Sequence, residues 1–364
     1  MSSFFGNHLK LSLFGQSHGE AIGMTMDGFP AGMKIDMDRV LFEMARRAPG
    51  KNRMSTPRKE ADAPEILSGV LNGVTTGQPL TAIIRNTNQH SADYGDGVDL
   101  ARPGHADYTG HVRYFGFEDW RGGGHFSGRI TAPLVFAGAF CMQYLEQQGI
   151  GIYSHIARLG NLQDDAFDSV HPGQYDALKH MTLPTLQPGL SEKMEQEIIR
   201  ASEKQDSIGG VVECMATGLP AGLGAPFFDS VESILSHLLF SVPAVKGVEF
   251  GDGFGFASLL GSQANDAFRM VDGRVETVTN HSGGIQGGIT NGMPVVFRCC
   301  VRATPSISQN QDTISIKRME NDTISVHGRH DPCILARVTP VIEAVTAIGL
   351  VELLKERASC MKSV

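Results

Sequence analysis

Glycine occupies 43 of the 364 positions, and this content restricts the fold more than any other feature of the chain. A helix bundle tolerates few residues of such low helix propensity, whereas frequent turns between short strands require them. Short runs with strand character occur at residues 21–26, 150–156, 210–216 and 295–301. They do not alternate with helices at the regular spacing of a doubly wound sheet. The pattern predicts an α+β fold in which helices pack on antiparallel sheets.

Five segments have the periodicity or the end signals of helices, namely residues 36–47, 131–148, 191–204, 229–240 and 340–358. The fourth begins with Asp229-x-x-Glu232, which predicts a capping box. The fifth begins with Pro340, which suits the first helical position because the missing N–H has no intrahelical partner there.

Charge and hydropathy argue against several classes of protein. The formal net charge of −8 argues against general binding to nucleic acid. The longest apolar run, residues 130–142, is shorter than the roughly 20 residues that a membrane span needs. The N-terminal residues lack the basic and apolar regions of a signal peptide, and the six cysteines are scattered without a C-x-x-C pair. These features predict a cytoplasmic protein with reduced thiols and no membrane association.

Two segments have the composition of an anion-binding site. Residues 102–129 contain three His, four Arg and seven Gly but only three carboxylates. Arg offers a planar fork to phosphate or carboxylate, His exchanges protons near neutral pH, and Gly lets backbone N–H groups approach a ligand. Residues 46–59 add six Lys or Arg and no acid, a patch that would attract small anions. The two segments predict a site for a phosphorylated or carboxylated ligand; polar surface loops are the competing interpretation.

The segment Gly15–Gly19 reads GQSHG and fits the nucleophile elbow of serine hydrolases through Ser17. An elbow needs core strands before it and a helix after it. Here only fourteen residues precede the motif, and a strand-like run follows it. The context therefore argues against a hydrolase.

Two further interpretations concern the Gly-rich segment. The run Gly122–Gly124 would cradle a nucleotide phosphate, but neither a P-loop nor a dinucleotide fingerprint accompanies it. The second interpretation is a metal site formed by His105, His111 and His125. The spacing of these histidines fits no standard ligand pattern. We therefore predict no metal site.

Eight segments along the chain share one resemblance: GQSHG (15–19), RRAPGKNR (46–53), RPGHADYT (102–109), DWRGGG (119–124), PAGLGAPFFD (220–229), AVKGVEFGDGF (244–254), NHSGGIQGGI (280–289) and GRHDPC (328–333). In this order they resemble the segments of chorismate synthases over nearly the whole chain. The resemblance implies one large domain over residues 1–364, built as a β-α-β sandwich and assembled as a homotetramer.

The resemblance also implies an activity. Chorismate synthases convert 5-enolpyruvylshikimate 3-phosphate to chorismate by a 1,4-elimination of phosphate and a ring proton, the last common step toward the aromatic amino acids. They require reduced FMN although the reaction has no net redox change, so NADPH or an external flavin reductase is the expected source of electrons. The Arg-rich segments agree with a substrate that carries a phosphate and carboxylates.

Roles for individual residues follow from the same resemblance. His18 resembles the group that protonates the departing phosphate, His105 the group that maintains the protonation state of reduced flavin, and Asp331 the acid that takes a proton from the flavin. Ser17 and Ser127 match hydroxyls that support these proton transfers. The implied substrate-binding residues are Arg47, Arg53, Arg129 and Arg337. The implied cofactor-binding residues are His125, Phe126, Ser127, Ala244, Gly287, Arg302, Ala303, Thr304, Pro305, Ser306 and Arg329.

Three places depart from the family: two segments, and Ala48, where the family has a third consecutive Arg. After RGGG the family reads R-S-S-A-R-E-T, whereas this chain reads HFSGRIT over residues 125–131, and K-P-T-S-S becomes RATPS over residues 302–306. These changes predict altered flavin contacts. They also motivate an alternative, a relative that binds flavin or a shikimate phosphate without turnover. Retention of His18, His105 and Asp331 argues against it, because binding alone needs no acid–base set.

Overall fold

A computed structural model describes residues 3–50, 62–87, 99–326 and 331–360. In chain order its strands are β1 (Phe4–Phe5), β2 (Lys10–Gly15), β3 (Ala21–Asp27), β4 (Pro64–Ser68), β5 (Val70–Leu71), β6 (Val74–Thr75), β7 (Leu80–Arg85), β8 (Gly151–Leu159), β9 (Leu162–Gln163), β10 (Gly210–Thr217), β11 (Val245–Phe250), β12 (Phe268–Val271), β13 (Arg274–Thr277), β14 (Ile285–Gln286), β15 (Ile289–Thr290), β16 (Val295–Val301), β17 (Gln311–Ser315) and β18 (Glu320–Ile324). Its α-helices are α1 (Met37–Arg47), α2 (Asp107–Arg113), α3 (Thr131–Glu146), α4 (Leu190–Glu203), α5 (Val231–Ser241), α6 (Gly261–Ala264) and α7 (Leu335–Cys360).

Two five-stranded sheets form the outer layers. The first has the order β1-β2-β3-β7-β4 and the second the order β11-β16-β10-β8-β9. Within the described residues all strand pairs of both sheets are antiparallel. Helix α3 contacts β3 and β7 of the first sheet and β8 of the second, while α7 contacts β8 and β10. The helices therefore lie between the sheets, which confirms the predicted α+β fold and the expected β-α-β sandwich.

Helices α3 and α7 form the centre of the core. Both are buried over most of their circumference, as expected for helices that are apolar all round. Gly138 of α3 lies against α7, and a Cβ there would come within 2.3 Å of the Ala344 Cβ. The glycine thus permits the close approach of the two helices. In the part of the chain that the structure describes, no helix is long and apolar enough to cross a membrane.

The start of α5 differs from the prediction. The helix begins at Val231, and the Ser230 hydroxyl accepts a hydrogen bond from the Ser233 N–H at 3.1 Å. The predicted capping box from Asp229 to Glu232 was therefore wrong. Serine takes the capping position because its short side chain reaches the N3 amide just as an aspartate would.

The start of α7 also differs. The helix begins at Leu335, so Pro340 lies inside it rather than at its first position. Proline cannot donate to the carbonyl of Ala336, and the Thr339 hydroxyl donates to that oxygen instead, at 3.1 Å. The Thr339 hydroxyl thus satisfies the Ala336 carbonyl, which would otherwise lack a donor in a helix that begins before Pro340.

A row of alternating charges crosses the second sheet. Glu249, Arg298, Glu213 and His155 are cross-strand neighbours on β11, β16, β10 and β8. The buried His155 imidazole contacts Glu213 Oε2 through Nε2 at 3.0 Å and Asp164 Oδ2 through Nδ1 at 2.9 Å. Burial lowers the pKa of His155, but the two carboxylates outweigh this effect and raise the pKa. The row links the four strands of the sheet, and no sequence motif indicated it.

The raised pKa of His155 predicts a pH-dependent stability. Protonated His155 stabilises the fold fully below the unfolded pKa of about 6.5, and this contribution is lost as pH rises through the higher folded pKa. We expect the loss in unfolding free energy caused by His155→Gln to be largest at acidic pH and to shrink above neutrality, by about 1.4 kcal/mol for each unit of upward shift. Denaturant titrations between about pH 6 and 9 measure it, where Asp164, with its lowered pKa, stays ionised. A pH-independent difference would contradict the assignment.

Candidate active site

One cavity of about 950 Å³ collects most of the predicted site residues. It opens beside the first turns of α3 and α7, between the Gly-rich segment and the ends of β11 and β16. The predicted residues that line it are Arg47, His105, His125, Phe126, Ser127, Arg129, Ala244, Arg302, Thr304, Pro305, Ser306, Asp331 and Arg337. Residues separated by hundreds of positions in the chain therefore meet at one surface.

The remaining predicted residues lie elsewhere. Ala303 is not part of the lining, and Gly287 lies in the turn between β14 and β15, away from the cavity wall. Ser17 and His18 do not line the cavity either, but they lie directly behind Gly122, which does. Arg53 and Arg329 lie outside the described residues.

The GQSHG motif forms the turn between β2 and β3. Asn86 holds it by donating from Nδ2 to the carbonyls of Gln16 (3.0 Å) and Gly19 (2.9 Å). The Ser17 N–H donates to the Gly124 carbonyl at 3.0 Å, which ties the turn to the Gly-rich segment. A strand follows the motif where a nucleophile elbow would have a helix, so Ser17 is not on an elbow.

The three glycines Gly122–Gly124 let two histidine rings approach the same loop. Their φ values are 60°, 82° and 52°, the left-handed region that favours glycine. A Cβ at Gly122 would lie 2.1 Å from the His18 ring, and one at Gly123 would lie 3.3 Å from His105 Nε2. The Gly123 N–H of this loop is not available to a phosphate, because it donates to the Trp120 carbonyl at 3.2 Å. Its glycines instead allow the backbone to fit between the two rings.

Asp119 places a negative charge near His18. Arg121 donates to Asp119 at 2.8 Å and holds the pKa of that carboxyl below its usual range, and His18 acts in the same direction through space. Asp119 therefore lies within electrostatic range of the His18 ring. The sequence analysis did not assign Asp119 a role.

His105 is oriented by a buried ion pair. Its Nδ1 lies 2.7 Å from Asp107 Oδ1, and Arg102 donates to both Asp107 oxygens, from Nε at 2.7 Å and from Nη2 at 2.8 Å. Burial raises the pKa of Asp107, but the hydrogen bonds from Arg102 and His105 outweigh it and hold this pKa well below its usual range. Arg102 Nη2 also lies 3.0 Å from Nδ1, so both members of the ion pair hold this nitrogen, and Nε2 is the ring nitrogen left toward Gly123 and the cavity.

Asp62 joins two of the predicted arginines. Arg47 Nη1 donates to Asp62 Oδ2 at 2.7 Å, and Arg129 Nη1 donates to Asp62 Oδ1. All three side chains are buried. No motif contains Asp62, so sequence reasoning missed it; a buried carboxylate was nevertheless required, since two buried guanidinium groups need compensation.

Arg337 and Asp331 form an ion pair at the cavity wall. Arg337 Nη1 donates to Asp331 Oδ2, and its Nε donates to the Arg47 carbonyl at 3.0 Å. The Thr304 hydroxyl donates to the Asp331 carbonyl at 2.9 Å. These bonds connect the start of α7 both to α1 and to the segment after β16.

Arg46 does not belong to an anion-attracting patch. Its side chain is about 10% exposed and donates to Glu43 at 2.6 Å and to Glu343, which also accepts from the Ser154 hydroxyl at 2.6 Å. The prediction for this residue was wrong because the adjacent positions 46 and 47 of α1 point in different directions, one into the core and one toward the cavity. Lys51, Arg58 and Lys59 lie outside the described residues.

The three histidines of the Gly-rich segment have separate partners. His105 contacts Asp107, His111 contacts Glu118 at 3.1 Å, and His125 contacts Ser3 and Gly15. Across residues 3–50, 62–87, 99–326 and 331–360, no group of three or more potential metal ligands occurs.

The cavity also contains cationic residues that the sequence analysis did not assign. Arg102, Arg113 and Lys246 line it in addition to the predicted arginines. With Arg302, whose Nη1 donates to the Gly104 carbonyl at 2.9 Å, they add positive charge beside the segments predicted to bind the cofactor. Arg102 and Lys246 lie inside the motifs RPGHADYT and AVKGVEFGDGF. Their positive charge was the sequence signal that would have identified them as site residues.

Comparisons with known proteins agree on one family. A sequence model of the family described as chorismate synthase matches residues 9–354. A chorismate synthase from Thermococcus kodakarensis is 43% identical over 354 residues, which cover 97% of this chain and 98% of that protein. Another, from Chitinophaga pinensis, is 43% identical over 357 residues and covers 98% of both chains. A crystal structure of a chorismate synthase matches with a TM-score of 0.77 at 28% identity and covers 97% of this chain and 93% of its own. On these matches, and with a site built from the same segments, the protein belongs to the chorismate synthase family.

Proposed function

We propose that the protein is a carbon–oxygen lyase that converts 5-enolpyruvylshikimate 3-phosphate to chorismate and orthophosphate. The carbon–oxygen bond to phosphate breaks, a ring C–H bond breaks, and the electron pair of the C–H bond remains in the ring as a new double bond. The observation that carries the proposal is the cavity in which His105, Asp331 and three arginines meet, with His18 behind Gly122. Pure binding of an anion would need the arginines but not this set of proton donors and acceptors.

The arginines suit the charges of this substrate. Arg47 and Arg129 are held by Asp62, and Arg337 is held by Asp331, so all three guanidinium groups are oriented before a ligand arrives. Arg47 also donates to the Thr131 hydroxyl and to the Gly128 carbonyl, and Arg129 also donates to Asn86 Oδ1. The positive charges held in this way would attract the phosphate and carboxylates of the substrate.

The residues also fit reduced FMN. The cavity volume of about 950 Å³ is at the upper end of the usual range for small-molecule sites, which leaves room for a flavin beside the substrate. Leu134, Val338 and Val341 offer an apolar wall, and Arg302 to Ser306 offer polar groups at the other end. When bound, reduced flavin supplies electron density that helps the phosphate to leave.

The positions of individual residues support the roles that we propose for them. His18, near the carboxylate of Asp119, is placed to hold a proton for the departing phosphate, with Ser17 beside it. His105, fixed by Asp107, presents Nε2 at the Gly123 side near Ser127 and is placed to hold the protonation state of the flavin. Asp331, fixed at the cavity wall by Arg337, is the acceptor for the ring proton that is passed on during turnover.

Assembly and the source of electrons are part of the same proposal. Phe227, Phe228 and Phe254 are 91%, 90% and 87% exposed, which is unusual for phenylalanine and supports burial between copies in a homotetramer. Within each copy residues 1–364 would form one domain, since α3 and α7 link its layers. Sedimentation of the purified protein tests the tetramer.

Electrons come from NADPH or from an external flavin reductase, and we expect the enzyme to act in the cytoplasm.

The direct test is anaerobic. Purified protein, chemically reduced FMN and 5-enolpyruvylshikimate 3-phosphate are mixed, and chorismate absorbance and released phosphate are followed together. Equal appearance of both products, dependent on reduced flavin, supports the lyase. Binding of both ligands without either product would favour the alternative of a binding protein without turnover, and repeating the assay with oxidised FMN and NADPH identifies the source of electrons.

Asp107→Asn tests the orientation of His105. The amide keeps the size of the side chain but removes the charge that Arg102 and His105 share, so the ring loses its fixed tautomer. Because misplacement of a catalytic group by about 1 Å costs up to roughly 100-fold, we expect kcat to fall about 10- to 100-fold. Steady-state kinetics measure it, with Asp312→Asn on the exposed face of β17 as the matched control. Equal rates for the two variants would remove Asp107 from the mechanism.

A further inference from the structure

His125 connects three separate segments of the chain. Its Nδ1 lies 2.9 Å from the Gly15 carbonyl at the end of β2, and its Nε2 lies 3.0 Å from the Ser3 hydroxyl. Ser3 is itself held to β2, because its carbonyl accepts from the Leu13 N–H at 2.9 Å. Both ring nitrogens are therefore used by protein groups, although the ring lines the cavity.

The two contacts define which nitrogen of the neutral His125 ring carries the proton. A carbonyl oxygen only accepts hydrogen bonds, so Nδ1 carries a proton. In the neutral ring Nε2 is then an acceptor, and the Ser3 hydroxyl donates to it. An arginine at this position would offer no acceptor to Ser3. The arrangement therefore needs a side chain that carries both a donor and an acceptor.

The bond to Gly15 lies next to the proposed catalytic residues. Gly15 begins the turn that carries Ser17 and His18, and the Ser17 N–H donates to the Gly124 carbonyl, next to His125 in the chain. The His125 side chain and the Gly124 backbone therefore hold the two ends of the Gly15–Ser17 segment. A turn held at both ends places the His18 ring against Gly122 with little freedom to shift.

We propose that His125 is a positioning residue for His18, acting through its Nδ1–H hydrogen bond to Gly15 rather than through contact with flavin or substrate. This inference rests on the proposed function only where turnover is measured. It replaces the cofactor-binding role that the resemblance implied for this position.

Three variants separate the two hydrogen bonds. His125→Ala removes both, and we expect kcat to fall about 10- to 100-fold while the KM for 5-enolpyruvylshikimate 3-phosphate and the Kd for FMN stay near the wild-type values. His125→Asn keeps a donor near the Nδ1 position and is expected to restore most of the lost kcat. Ser3→Ala removes only the Nε2 contact and is expected to have the smaller effect. His171→Ala, an exposed histidine, is the matched control.

Hydrogen exchange of the peptide that contains Ser17 is a readout independent of activity. Exchange of the turn is expected to be faster in His125→Ala and near wild type in His125→Asn. A rise in KM or in the Kd for FMN with unchanged kcat would assign His125 to ligand contact instead. Equal defects in the Ala and Asn variants would also overturn the proposal. If the wild type itself forms no chorismate, the proposed function fails, and the exchange experiment still decides whether His125 holds the turn.

Discussion

Alanine at His18 or at His105 is expected to lower kcat by at least about 100-fold, because the proposed function assigns each ring a proton at a reacting group and such groups contribute about 100- to 10,000-fold. The two rings lie on either side of the Gly122–Gly123 backbone, so loss of one leaves the other in place. Single-turnover measurements with reduced FMN and 5-enolpyruvylshikimate 3-phosphate report the chemical step directly.

Folding of these variants has to be controlled, since His18 is buried whereas His105 is partly exposed. Thermal melts and FMN titrations of both variants, beside His171→Ala, separate a catalytic defect from a loss of structure. Near-normal turnover in both variants would refute the assigned roles. Loss of turnover together with loss of FMN binding in His105→Ala would assign His105 to FMN binding and not to proton transfer.

Gly122→Ala is expected to abolish most of the activity without removing any functional group. The new methyl carbon would lie 2.1 Å from the His18 ring and 3.0 Å from the Ser17 hydroxyl oxygen, so the buried ring must move. Displacement of a proton donor by about 1 Å is enough to lower the rate on the order of 100-fold. We therefore expect kcat to fall by about that factor, with a smaller change in FMN affinity, measured in the same anaerobic assay.

Gly149→Ala is the matched control for this variant. Gly149 also has a positive φ, 76°, but nothing lies within 4 Å of the position where its Cβ would be. Both variants therefore carry the same backbone strain of about 1 kcal/mol, and only one of them displaces a histidine. If both lose activity equally, backbone strain explains the result; if neither does, His18 tolerates displacement and its role is not catalytic.

The secondary structure was predictable where local physics decides it. The apolar run at 295–301 coincides with β16, and the predicted helix at 36–47 corresponds to α1 with Asp36 as its cap. The errors occur where a single hydrogen bond decides an end: Ser230 caps α5, and Thr339 lets α7 begin before Pro340. Periodicity reports which face of an element is buried, but it does not report which hydroxyl satisfies a particular backbone group.

The candidate site divides in the same way. The motif residues His105, Asp331 and Arg337 were identified from sequence and line the cavity, whereas Asp62 was not, because it belongs to no motif and acts only by lying between two arginines. Arg46 and Arg47 are adjacent in a basic run, yet one is a core ion pair and the other a cavity residue. Their partners, which separate them, depend on the packing of α1 against α7.

By itself the sequence determined the chemistry: the family, the types of side chain and the turns that glycine permits are all properties of short segments. Tertiary structure decided the geometry. It brought Gly15 within reach of His125, 110 residues away, and set Gly122 between the turn and the cavity. The physical reason is that residue type specifies what a group is able to donate or accept, whereas the partner that it finds depends on how distant segments pack around one core.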